Sequence, residues 1–197
     1  MAINNVTVAN RAIVMIGANR ISSFTDGSTE ASVANDLYYD ILDGDLTACR
    51  WRFATKQTQL SANATAPTGI WTQSFYLPTD NLYVQRITVG GNTVTNYDIF
   101  NNELYTDLES TDTVIADYTY RPAEEEMPKY FILSLEYHLA SVFAHAIARS
   151  TDMASIYEDK YRLQYRRAKN LDSSQQPTRR VTVDRFAKFR GSTSTRY

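Results

Sequence analysis

Residues 130–148, YFILSLEYHLASVFAHAIA, decide how the rest of the chain is read. Apolar side chains recur there at helical spacing but on nearly every side of the helix, so it needs cover all round. A helix of this kind is buried by other helices or by neighbouring subunits. The order of elements around it is therefore the first question.

Upstream, helical spacing begins at Ala123, with Glu124, Glu125 and Glu126 where carboxylates favour the positive end of a helix dipole and Pro128 tolerable within a first turn. Downstream, Ser150, Thr151 and Asp152 break the pattern and cap a further helix, about Met153 to Asn170. On it Ile156, Lys160, Leu163 and Arg167 mark one edge, while Tyr157, Tyr161 and Tyr165 form a stripe at spacing four. At the other end of the chain, Ala9, Ala12, Ile13 and Ile16 predict a short helix stopping at Gly17. A second helix is expected from about Ser28 to Asp43 or a few residues beyond, its end loosened by Gly44.

Between these helices the period changes. Alternation from Trp51 through Leu60 predicts a first strand, Ser61 to Gly69 a loop, and Trp71 to Leu77 a second strand ending at Pro78. Leu82–Val89 and Thr93–Phe100, joined by Gly90, Gly91 and Asn92, give the clearest hairpin signal. Asn101 and Asn102 turn the chain again before Glu103–Thr106, and Val114–Tyr120 closes the β region. The expected fold is α+β. Residues 1–48 and 122–172 form a discontinuous helical bundle, 49–121 an inserted antiparallel β lobe, and 173–197 an extended tail.

Composition agrees with a packed protein: 197 residues, 43% hydrophobic and 21% charged. One cysteine excludes an internal disulfide framework and a zinc ribbon. No stretch resembles a secretory leader or a membrane span, so neither is expected. The net charge of −2 hides an asymmetry. Residues 171–197 carry six Lys/Arg against two Asp, leaving fourteen basic and twenty acidic residues on 1–170. An acidic body with a basic tail seeks acidic partners, whether protein, nucleic acid or another copy of itself. Fourteen tyrosines suit either surfaces buried on association or a half-wet sheet.

Catalytic chemistry finds little footing. His138 and His145 share one helix face without the spacing of a zinc motif, which makes packed or hydrogen-bonded histidines the expectation. Asp36, Asp40 and Asp43, with Asp45 beyond, lack the alternating ligands and glycine of a calcium loop and are expected to face solvent. Cys49 lies beside Arg50 and Arg52, yet no histidine motif is near to serve as its base, so it reads as an inert thiol. No cofactor is implied. Lys160, Arg162, Arg166, Arg167 and Lys169, interleaved with Tyr161 and Tyr165, leave a non-specific DNA-binding module as the alternative to protein docking.

Several segments, in order, resemble the tail tubular protein A family, the head-to-tail adaptors of short-tailed bacteriophages. The resemblance runs over about residues 3–172. It rests on the opening helix with Ile21 to Asp26, on LTACRWRFATKQTQL (46–60) around a Trp-x-Phe-Ala core, on YLPTDNLYV (76–84) and on the terminal helical pair from Tyr120 to Asn170. Arg50 departs from it, standing where a proline is common, and 173–197 match nothing in the family.

The resemblance implies a non-enzymatic virion protein, assembled in the host cytoplasm and residing at the head–tail junction. Such a protein forms a dodecameric ring that joins the portal to the tail nozzle (tail tubular protein B) and leaves a channel through which DNA passes without specific binding. On that reading Tyr130, Phe131, Leu135, Val142, Phe143 and Ile147 pack against neighbouring subunits. Val181, Arg185, Phe186, Phe189 and Arg190 of the tail contact the portal.

Overall fold

A computed structural model describes residues 3–65, 67 and 69–175. The chain is α+β, and the described residues form four helices and two antiparallel sheets of four strands each. Helix α1 (Asn5–Met15) starts where the Asn4 side chain accepts the Thr7 backbone N–H at 2.8 Å. Helix α2 (Thr29–Thr47) starts where Ser28 Oγ accepts that of Ala31 at 3.1 Å. These side chains satisfy donors that a helix start leaves unpaired. Gly44 does not end α2, which runs one turn further.

The β region holds β1 (Thr55–Gln59), β2 (Ser61–Ala62), β3 (Gln73–Tyr76), β4 (Tyr83–Val89), β5 (Asn92–Val94), β6 (Tyr97–Phe100), β7 (Glu103–Thr106) and β8 (Val114–Thr119). One sheet has the order β1-β8-β4-β5 and the other β2-β3-β7-β6. Both two-residue hairpins are made by residues that tolerate positive φ. Gly90 and Gly91 join β4 to β5 at φ 56° and 82°, and Asn101 and Asn102 join β6 to β7 at 50° and 60°. One expectation fails here. The arm expected from Thr93 to Phe100 divides at Thr95–Asn96, β5 staying with β4 while β6 joins the other sheet. Crossing there lets two sheets share one core, to which β3 and β7 contribute Phe75 and Leu104 and β4 and β8 contribute Ile87 and Val114.

Helices α3 (Lys129–Ala146) and α4 (Thr151–Ser174) complete the chain. Pro128 is the N-cap of α3, and Glu124–Glu126 form a turn outside it, where Glu124 accepts a hydrogen bond from the Tyr38 hydroxyl at 3.2 Å. Helix α4 extends beyond Asn170 because Ala168 and Asp172 continue its buried face. Residues 173 and 174 therefore belong to α4.

A second core, separate from that of the sheets, gathers all four helices. Trp51 and Ala54 are wholly buried in it, with Phe53 against it. These residues precede β1 and are not strand. The alternation at 51–54 reflects an aromatic plug: Trp51 meets Phe131 and Tyr165 edge-on at 5.0 and 5.6 Å between ring centroids.

Helix α3 lies against α1, α2 and α4 of its own chain. Its apolar girth is thus largely covered within one subunit. Phe131, Leu135 and Phe143 are fully buried in the helical core and cannot pack on a neighbour, which corrects the expectation for these three. Tyr130, Val142 and Ile147 are half-buried.

Candidate functional site

The tyrosine stripe on α4 points inward. Tyr157 donates to the Met15 carbonyl at 2.6 Å, Tyr161 donates to Asp45 Oδ1 at 2.7 Å, and Tyr165 packs on Trp51. Asp45, expected in solvent, is buried beneath that stripe. Its carboxylate also meets His138 Nδ1 at 3.0 Å, and its carbonyl accepts the Trp51 indole N–H at 2.8 Å. The His138 ring stacks on Tyr161 with centroids 4.1 Å apart. Burial, then the Asp45 charge, pushes the Tyr161 hydroxyl far above its ordinary range and keeps it a donor. His138 is thus a hydrogen-bonded packing residue, and His145 is exposed. Asp36 and Asp40 face solvent as expected, whereas Asp43 forms an ion pair with Arg121. Among the described residues no group of three or more His, Cys, Asp or Glu is placed to hold a metal ion.

With its inner face committed, α4 leaves Ile156, Leu163 and Leu171 about half exposed on the other side. Beside them a shallow groove of about 230 Å³ runs between α3 and α4, lined by Leu133, Tyr137, Lys160, Leu163, Gln164 and Arg167. On the β lobe, the registers of β3 and β6 against β7 put Tyr76, Glu103 and Phe100 in one row on the outer face of the second sheet. Tyr76 and Phe100 are exposed, and Tyr105 lies 5.6 Å from the Phe100 ring. Each lobe therefore carries an apolar surface of its own.

A concavity of about 660 Å³ sits where the end of α4 meets the β lobe. Arg50, Arg52, Arg86 and Lys169 supply its charge, with Cys49 and Thr55 between them. Two buried carboxylates anchor it. Asp117 on β8 accepts Arg86 Nε and Nη2 at 3.0 and 2.6 Å, Gln57 Nε2 at 2.7 Å and Arg50 Nη2 at 3.4 Å. Asp172 on α4 accepts the Arg52 backbone N–H at 3.0 Å and the Tyr130 hydroxyl at 2.9 Å. Burial pushes the Cys49 thiol up, consistent with an inert thiol.

Sequence reasoning saw Arg50 and Arg52 as neighbours of Cys49, Arg50 also as a departure from the resembling family, and Lys169 only as part of a basic helix. Arg86 carried no local signal, because a lone arginine in a strand reads as a solvent-facing position. The tail residues Val181, Arg185, Phe186, Phe189 and Arg190 lie outside the described residues. Among the described residues no helix is long and apolar enough to cross a membrane. Compared with protein-family descriptions and with curated proteins, the chain matches none.

Asp117 also sets an acid response. Burial alone raises the pKa of its carboxyl, but the hydrogen bonds from Gln57 and Arg86 and the charges of Arg86 and Arg50 outweigh that, so it falls below the ordinary value. Asp26 is held lower still, to about 2, by hydrogen bonds from Ser28 and Ser22. A depressed folded-state pKa means that the unfolded chain binds the proton first. The associated stability is complete above about pH 4 and drains away as pH falls through the folded values. Urea midpoints measured between about pH 5 and pH 2 should fall steadily, and Asp117→Asn should make that slope shallower.

Proposed function

We propose that this protein is a structural subunit of a phage particle. It forms a ring, dodecameric as in the family it resembles, that joins the portal to the tail nozzle at the head–tail junction. The observation that carries this reading is the paired outer surfaces. One stripe, Ile156, Leu163 and Leu171, lies on α4, and an aromatic row, Tyr76 and Phe100 with Tyr105, lies on the β lobe. Exposed apolar clusters on two different lobes suit a subunit held by unlike surfaces, and unlike surfaces close into rings.

On this reading the α4 stripe and the α3–α4 groove of one copy face the aromatic row of the β lobe on the next, and other loops of the β lobe serve the nozzle side. The tail residues Val181, Arg185, Phe186, Phe189 and Arg190 serve the portal. The acidic body lines a channel without gripping DNA, because carboxylates repel phosphate. The test is to mix the full chain, and a chain ending at residue 176, with particles of the portal protein from the same phage. The full chain should bind coaxially and the shortened chain should fold but fail to bind. Binding that survives the deletion removes the portal role of the tail.

The basic cleft favours a second reading, a non-specific DNA-binding module drawing also on Lys160, Arg162, Arg166 and Arg167. Phosphate-driven binding weakens steeply with salt, so a mobility shift across a salt series distinguishes the two.

A further inference from the structure

The outer ridge of α4 and the outer face of the second sheet repeat one pattern with opposite charge. On α4, Leu163, Arg167 and Leu171 follow at spacing four, apolar, cationic, apolar, and all three are exposed. On the sheet, the register sets Glu103 of β7 between Tyr76 of β3 and Phe100 of β6, aromatic, acidic, aromatic. At about 1.5 Å per helical residue the ends of the first row lie about 12 Å apart, and at about 4.8 Å per strand those of the second lie about 10 Å apart. The two rows are thus of similar length, with a cation at the centre of one and a carboxylate at the centre of the other.

We infer that the sheet row is the seat for the α4 row of a second copy of this chain, with Arg167 of one subunit pairing with Glu103 of the next between Tyr76 and Phe100. Charge complementarity carries the inference. Among the described residues Arg167 makes no hydrogen bond or ion pair. Its neighbours on α4 are already engaged: Lys160 lies over the Tyr157 ring at 4.7 Å, and Arg162 is paired with Glu158 at 3.0 Å. Glu103 is half-buried and accepts a hydrogen bond from the Tyr105 hydroxyl, which orients the carboxylate and leaves it further acceptor sites. A guanidinium forks onto a carboxylate and lies flat on aromatic rings, so both parts of the seat suit an arginine. Asp98, two residues before Phe100 on β6 and held by the Trp71 indole N–H at 3.2 Å, adds a second negative charge to the same face. That face repels phosphate, which favours a cationic protein ridge over nucleic acid as its occupant. The two rows are unlike surfaces, so their pairing runs head to tail, as a closed ring requires.

This deepens the ring-subunit reading and rests on it. The test uses Arg167→Glu and Glu103→Arg in the full chain, followed by sedimentation velocity with each variant alone, with the two mixed, and with both changes in one chain. The unaltered chain should self-associate. Each single variant sets like charges against each other and should associate about tenfold more weakly or worse. An equimolar mixture should recover association, because the two variants can then alternate with acid facing base at every contact. The chain carrying both changes should recover it alone. Recovery in the mixture also shows that both single variants fold.

A single variant that associates like the unaltered chain overturns the pairing while leaving a ring held by other contacts. Weakened variants that recover neither when mixed nor when combined overturn it as well. An unaltered chain that stays monomeric overturns the pairing too, and the ring reading then stands or falls on portal binding alone. Loss of binding to a DNA duplex in Arg167→Glu, with self-association intact, assigns Arg167 to phosphate and overturns the inference.

Discussion

Trp51→Ala should lower the stability of the folded chain by about 3–5 kcal/mol, the range for deleting a large aromatic side chain from a closed core. Trp51 is wholly buried, its ring is surrounded by Phe53, Phe131 and Tyr165, and its indole N–H is hydrogen-bonded to the Asp45 carbonyl. Truncation removes apolar area and aromatic contacts together and leaves a buried carbonyl without its donor. For a chain of this length the loss amounts to a fall of roughly 6–20 °C in the thermal midpoint. Calorimetry reads it directly. Because Trp51 and Phe131 touch, the double variant Trp51→Ala, Phe131→Ala should cost less than the two single losses added. A fall under about 1 kcal/mol would mean that residues 51–54 do not plug the helical core.

The second large effect concerns α3. Phe143 is fully buried within the subunit, so Phe143→Ala should also cost about 3–5 kcal/mol. That cost should be the same at low and high protein concentration. Were Phe143 covered by a neighbouring subunit, the variant's deficit would instead grow with concentration. Thermal unfolding over a hundredfold range of concentration separates the cases. A concentration-dependent deficit would return Phe143 to the subunit interface and undo the placement of α3 inside its own chain.

The helices were legible where a break and a period coincided: Ser150 before α4 accepts a backbone N–H as the sequence implies, and α2 begins just after Ser28, where a start was expected. Hairpins were legible through Gly90–Gly91 and Asn101–Asn102, whose residues tolerate the φ that the turns demand. What misled was alternation without context. Trp51 and Phe53 alternate with arginines as a strand would, but they serve a helical core and lie four and two residues before β1 begins. Thr93–Phe100 reads as one arm when only its apolar residues are followed, and the slip in its alternation at Thr95–Asn96, two polar residues in succession, marks the change of sheet.

The site was harder to see for a related reason. The girth of α3 told correctly that it must be covered, but a sequence cannot say by what, and the cover proves to be α1, α2 and α4. The unused apolar surface lies instead on Ile156, Leu163 and Leu171, which alternate with Lys160 and Arg167 and read as an ordinary solvated edge. The basic cleft unites residues from the end of α2, from β4 and from the end of α4. Only the tertiary fold brings them together.

The connector reading is tested most directly by electron imaging of the full chain mixed with the portal protein of the same phage. The account predicts a closed ring of this chain stacked coaxially on the portal, with neighbouring copies meeting through α4 and with an open central channel. Free subunits beside bare portals, at concentrations where both proteins are folded, would contradict it.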